Sequence, residues 1–132
     1  MNRETATGTF EVSLTPQSDN ASDDPMLARH LIDKTFQGDL EGKSVGQMFS
    51  AGTAVSGSAG YVAIEKVQGS LQGRSGSFVL QHNGTMTRGE PRLDLTVVPD
   101  SGTGELTGLE GEMTIDIDDG KHSYNLSYSL PG

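Results

Sequence analysis

One pattern, G-x-L-x-G followed by a short spacer and G-x-[Met/Phe], appears three times in this chain. The copies are GDLEGKSVGQM from Gly38 to Met48, GSLQGRSGSF from Gly69 to Phe78 and GELTGLEGEM from Gly104 to Met113. A motif that returns about every 30 to 35 residues in a short chain marks a structural unit rather than a catalytic loop, which a domain carries once. The first copy contains Gly42-Lys43-Ser44-Val45-Gly46, a G-x-S-x-G match. A nucleophile elbow needs a following helix and a partnering His and acid. No helical pattern follows, and the sibling copies put Arg74-Ser75 and Leu109-Glu110 in the same spacer. The stretch is therefore predicted to be a structural hairpin turn. A phosphate loop fails on spacing, because Gly38 and Gly42 enclose too few residues for the Walker pattern, and SGTGEL lacks the G-x-G-x-x-G spacing.

Around the repeats the sequence alternates with period two, the pattern of strands with one buried face. Phe78, Leu80, His82 and Met86 share one face; so do Phe10, Val12 and Leu14, and Tyr124, Leu126, Tyr128 and Leu130. Eight segments result: Thr5–Pro16, Ala28–Leu40, Ser44–Val55, Ala59–Leu71, Gly76–Arg88, Pro91–Leu106 with an interruption, Gly111–Ile117 and His122–Leu130. A last strand pairing with the first closes the sheet and removes both edges, which predicts an all-β, antiparallel, mostly meander eight-stranded closed barrel, lipocalin-like in general shape. Gly8, followed by Thr9-Phe10, reads as half a repeat whose other half the C-terminal strand supplies. The 18 glycines suit the bulges and coiling of a narrow barrel. Asp119-Gly120 fits the centre of a tight hairpin. One helical turn is expected within Asp23–Leu31, and residues 17–27 are expected to form a mobile polar loop within a single domain, 1–132.

The totals exclude several functions. With 132 residues the chain can bury a core unaided, and with no cysteine it has neither disulfides nor thiolate chemistry. No segment has the roughly 20 apolar residues of a membrane helix and the start lacks a secretory signal, so a cytoplasmic location is expected. A net charge of -9, with Lys and Arg scattered, argues against a nucleic-acid partner. Sequons at Asn20, Asn83 and Asn125 matter only in a secreted protein.

The segments GYVAIEKVQGSLQGRSGSFVLQHNGTM, VVPDSGTGELTGLEG and GKHSY resemble a bacterial family of small proteins of unknown function, the DUF3224 family, over essentially the whole chain. The resemblance implies a barrel similar to that of plant allene oxide cyclases and no established activity. No cyclase catalytic motif matches residues here, and a shared fold does not carry a function with it.

Candidate polar groups remain. His82 shares the register of Phe78 and Leu80, so it is either a core histidine hydrogen-bonded to a neighbouring strand, the favoured reading, or a group that orients a ligand or moves a proton. Glu65 shares a face with Tyr61 and Ala63 against Val62 and Ile64. The usual preference for aliphatic burial favours Val62 and Ile64 inside and Glu65 on the surface; the opposite register makes Glu65 an interior carboxylate with a raised pKa. His122, Tyr124 and Tyr128 form an aromatic wall that either packs the interior or lines a cavity. His30, His82 and His122 lie on different strands, and Asp116, Asp118 and Asp119 do not continue into a calcium loop, so neither metal nor cofactor is expected.

The leading expectation is a barrel that binds a small apolar or amphipathic molecule, with His82, Tyr61, Glu65, His122, Tyr124 and Tyr128 as candidate polar contacts. The alternatives are a cyclase- or isomerase-like proton transfer with Glu65 or His82 as base and a tyrosine as donor, and a filled barrel that forms a homo-oligomer, dimer or trimer, through outward residues such as Val97 or Val98.

Overall fold

The computed structural model describes residues 3–17 and 26–131. Eight strands form a closed barrel in simple chain order, each antiparallel to the next, with the last paired to the first. They are β1 (Glu4–Pro16), β2 (Leu27–Gly38), β3 (Leu40–Gly52), β4 (Ala59–Leu71), β5 (Arg74–Thr87), β6 (Glu90–Val97), β7 (Glu110–Asp118) and β8 (Lys121–Ser129). The interruption expected after Pro91 falls at Val98, beyond which a 3₁₀ turn spans Gly104–Leu106. The expected loop falls largely on residues 18–25, outside the described residues, as does the start of the expected helical turn, residues 23–25. From Leu27 to Leu31 the chain is strand, not helix, because its backbone pairs with β3 from Leu27↔Ala51 onward.

Three of the connections are two-residue turns with positive φ at both positions, Gln72-Gly73, Arg88-Gly89 and Asp119-Gly120. This is the turn whose twist matches that of the flanking strands, and glycine in second place relieves half of its steric cost. The Gly42–Gly46 stretch is not a turn. It lies inside β3, and the chain reverses earlier, at Gly38 (φ 109°) and Asp39.

The repeat marks one end of the barrel. Its leucines, Leu40, Leu71 and Leu106, are fully buried together with Leu109. Leu40 pairs directly with Leu71. The segment after β6 folds across this end and takes the place of a paired strand beside β5. Thr103 donates its N–H to the Ser77 carbonyl, and the Ser77 and Val79 N–H groups are accepted by the Thr103 and Ser101 hydroxyls. Tyr128 caps the same end, its hydroxyl bonded to Gln72 Oε1. At this end, therefore, the barrel is filled. The opposite end, ringed by Ile32, Met48, Tyr61, Met86 and Leu93, stays open, and Met86 and Leu93 are exposed there although they point inward.

Outward-facing apolar residues do not sit where the sequence suggested. Val97 is buried and Val98 half-buried, because β6 turns its Leu95–Val97 register into the core. The exposed ones, Leu31, Val45, Phe49, Val62 and Ile64, gather on the outer face of β2–β4, where Phe49 pairs directly with Val62.

Candidate functional site

The register of β4 is set by Val67 and Leu71, both fully buried. Side chains two apart share a face, so burying these two carries Glu65, Ala63 and Tyr61 inward and leaves Val62 and Ile64 outside, 54% and 50% exposed. The expectation that Val62 and Ile64 point inward is thus overturned, and Glu65 is 0% exposed in the barrel interior. The legible signal was Leu71, the leucine of the second repeat, which shares its parity with Glu65.

A buried carboxylate is costly unless it is fully satisfied. Three neighbours satisfy this one. Lys34 Nζ of β2 donates to Oε2 at 2.8 Å, Ser44 Oγ of β3 donates to Oε1 at 2.7 Å, and His82 Nε2 of β5 lies 2.5 Å from Oε2. Lys34, Ser44 and His82 are themselves buried. The Lys34 ammonium also sits 4.9 Å from the ring centroid of Phe10 and 5.8 Å from that of Phe36, both favourable for a cation above an aromatic face. Burial alone would raise the Glu65 carboxyl. The hydrogen bond from His82, the charge and hydrogen bond of Lys34 and the hydroxyl of Ser44 outweigh it and hold the pKa at about 2. The raised value expected for an interior Glu65 is therefore reversed.

The opening motif serves this cluster. Ser44, in the G-x-S-x-G match, is a hydrogen-bond donor to Glu65. Gly46, its final glycine, pairs with Glu65 across β3–β4, and a Cβ there would lie 2.7 Å from Glu65 Cβ and 2.1 Å from the Ile64 carbonyl oxygen. The glycine makes room for the carboxylate stem.

From His82 the network continues outward. Nδ1 lies 3.2 Å from the Tyr61 hydroxyl. Gly84 is the direct partner of Tyr61, and a Cβ on it would reach within 2.4 Å of the tyrosine ring, so that ring folds across β5 only because position 84 is glycine. Burial, and then the charge of Glu65, raise the Tyr61 phenol above 10 and keep it protonated. Tyr61 forms part of the wall of an open cavity of about 350 Å³ at the barrel mouth, whose other walls include Met48, Ser50, Met86 and Leu93 and are almost wholly apolar. Tyr61, His82 and Glu65 thus run in a line from the cavity wall to the barrel centre.

The remaining candidates lie elsewhere. Tyr124 is a clasp: its hydroxyl accepts the Leu40 N–H at 2.9 Å and donates to the Gln37 carbonyl at 3.0 Å, tying the β2–β3 reversal to β8. Tyr128 closes the filled end. His122 packs against Phe10 with its ring tilted by 47°, ring centroids 5.1 Å apart, and borders a separate polar recess with Gln37 and Lys121. His30 is half-buried on β2, and its Nδ1 has no hydrogen-bond partner among the described residues. No group of three or more His, Asp or Glu among the described residues is arranged to hold a metal ion. Lys34 was missed from sequence, since nothing in KTFQ distinguishes an inward lysine from a solvated one, and Ser44 was set aside as part of a turn.

These features define a closed, antiparallel eight-stranded barrel with a charged cluster buried beneath an apolar mouth. The chain belongs to the DUF3224 family, described as proteins of unknown function, whose model matches residues 6–128. It is similar to a solved structure of a DUF3224 protein of unknown function from Shewanella oneidensis MR-1, with 54% identity, coverage of 99% of each chain and a TM-score of 0.93. No curated protein matches it. No helix among the described residues is long and apolar enough to cross a membrane.

Proposed function

We propose that this protein binds a small, largely apolar molecule in the mouth of the barrel. The observation that carries this reading is the one-sided filling of the interior: leucines and tyrosines pack one end, while the other holds an apolar cavity with a single buried polar network reaching its wall. An ion pair as buried as Lys34–Glu65 is weak support for stability, since well-packed apolar residues often serve a fold equally well or better. Its use is to orient His82 and, through it, Tyr61. The apolar body of the ligand lies on Met48, Met86 and Leu93 and on the ring of Tyr61.

Titration with naphthalene, followed in spectra of protein labelled with ¹³C at the methionine methyls, tests the reading. Met48 and Met86 are expected to shift, while Met113, buried in the core and absent from the cavity wall, stays in place. Unmoved Met48 and Met86 signals at saturating naphthalene count against a binding mouth.

The outer face of β2–β4 supports a second reading, a homo-oligomer. Five exposed apolar side chains on three adjacent strands form the kind of patch that oligomers cover. Light scattering is expected to give a dimer or trimer that Phe49→Asp dissociates; a strict monomer at high concentration removes this reading and leaves the first intact.

A further inference from the structure

The exposed apolar side chains on the outer face of β2–β4 are set in rows by the strand register. The middle row reads Leu31, Gln47, Ile64 across the three strands, and the row nearer the open mouth reads Arg29, Phe49, Val62. The row on the other side reads Asp33, Val45, Lys66. β3 therefore carries Val45, Gln47 and Phe49 down the middle of the face, all three exposed. Gln47 is a lone amide between Leu31 and Ile64. Asp33 and Lys66 are exposed at opposite edges of the face, and neither has an ion-pair partner among the described residues.

We infer that this face pairs with the same face of a second copy about a two-fold axis running parallel to β3, giving a dimer. The inference rests on the oligomer reading above and names its partner, stoichiometry and register. A barrel wall is convex, so two walls meet along one strand, and here the apolar face centres on β3. Sheets packed face to face keep their strands within about 30° of each other, as this axis does. The rotation exchanges the two edges of the face and keeps position along the strands, so each row meets its own reverse. Leu31 then covers the partner's Ile64, while Phe49 and Val45 each meet their own copy. Asp33 meets the partner's Lys66 at both edges, and like charges nowhere coincide. Gln47 lies on the axis, where an amide, being both donor and acceptor, can bond to its own copy. The other two-fold axis in the plane, across the strands, sets Lys66 on the partner's Val62. It also sends Asp33 to the partner's Arg29, which is half-buried and already engaged within its own chain. A lipid surface fits less well, since it leaves the Gln47 amide without a partner and, when anionic, repels a net charge of -9.

Sedimentation velocity over a range of concentrations tests this on the wild-type chain, on Asp33→Lys and on Lys66→Asp. The wild type is expected to dimerise. Each variant alone sets like charges against each other at both edges and is expected to associate about tenfold or more weakly. An equimolar mixture of the two variants restores both opposite-charge pairs and is expected to form a heterodimer at about wild-type affinity. A wild type that stays monomeric overturns the oligomer reading and this pairing together. A wild-type trimer, a dimer that both variants leave unchanged, or a mixture that fails to associate overturns the pairing and leaves the oligomer reading standing. Gln47→Cys gives a check independent of the charged variants, because the chain has no cysteine of its own. A short bismaleimide is expected to join Gln47→Cys into a covalent dimer across sheets packed about 10 Å apart, and to leave Asn125→Cys on β8 monomeric. Equal cross-linking at the two positions, or none at either, overturns the pairing.

Discussion

Glu65 on β4 and His82 on β5 meet at 2.5 Å although neither is the other's direct cross-strand partner: Glu65 stands opposite Leu80, and His82 opposite Ala63. The contact is a diagonal one on the inner face, within the reach of long side chains. It joins the centre of the barrel, where Lys34 and Ser44 hold the carboxylate, to the wall of the open mouth, where Tyr61 lies.

The acid stability of the protein is expected to depend on this carboxyl. Its folded pKa of about 2 lies below the ordinary 4.5, so the unfolded chain takes up the proton first as pH falls. The stabilisation is complete above about pH 4.5 and is lost as pH drops towards 2, for a total of roughly 3 kcal/mol. Denaturant midpoints measured across that window should fall steeply for the wild type and more gently for Glu65→Gln, which starts less stable at pH 7. Parallel curves for the two proteins would place the acid dependence elsewhere.

Lys34→Met leaves the Glu65 carboxylate buried with no cation, and such half-broken pairs cost about 3–5 kcal/mol. The double variant Lys34→Met/Glu65→Leu removes both charges and is expected to recover most of that loss. Urea unfolding of the two singles and the double closes the cycle, and a double variant as unstable as the sum of the singles would contradict the pairing.

Gly46 and Gly52 lie on the same strand and make a controlled comparison. An alanine Cβ at 46 would meet the Ile64 carbonyl oxygen at 2.1 Å and Glu65 Cβ at 2.7 Å, whereas at 52 it would meet nothing within 4 Å. Gly46→Ala is expected to lower stability by about 1–3 kcal/mol, as overpacking does. Gly52→Ala should stay within about 0.5 kcal/mol of the wild type. Similar thermal midpoints for both variants would mean that Gly46 is not needed to seat Glu65.

The weakest seam of the barrel lies between β6 and β7, which share one register pair, Thr96↔Glu112. Local opening follows such sparse pairing. Amide hydrogen exchange is expected to be fastest for β6 residues that face this seam and slowest along β3–β4–β5, where pairing runs almost the full length of the strands. Uniform protection around the barrel would show that the connection after β6 braces the seam as well as strand pairing would.

Much of the fold was legible because it is repetitive. Period two located seven of the strands to within a few residues, while the sixth was carried on to Leu106 although β6 ends at Val97, and the Asp119-Gly120 turn announced itself by composition. The site was less legible. His82 shared the parity of Phe78 and Leu80 and could be placed inside, but Tyr124 and Tyr128 carried the same signal and proved to be a clasp and an end cap. Tyr61 and Glu65 were seen as a pair, yet their direction was judged from Val62 and Ile64 when Val67 and Leu71 further along the strand decide it. The G-x-S-x-G stretch was read as a turn, whereas it lies inside β3 and its Ser44 and Gly46 hold and seat the buried carboxylate.

The class of structure follows from patterns along the chain: alternation fixes which side chains can share a face, glycine pairs fix where strands turn and approach, and an N-terminal strand matched to a C-terminal one closes the sheet. All of these are local or repeat along the chain. The make-up of the interior depends instead on contacts between strands far apart in sequence. Lys34, Ser44, Glu65 and His82 come from four different strands, and they meet because barrel closure fixes the stagger between those strands. That stagger depends on the summed packing of the whole core rather than on any single segment. The same packing fills one end of the barrel and leaves Tyr61 at the open one.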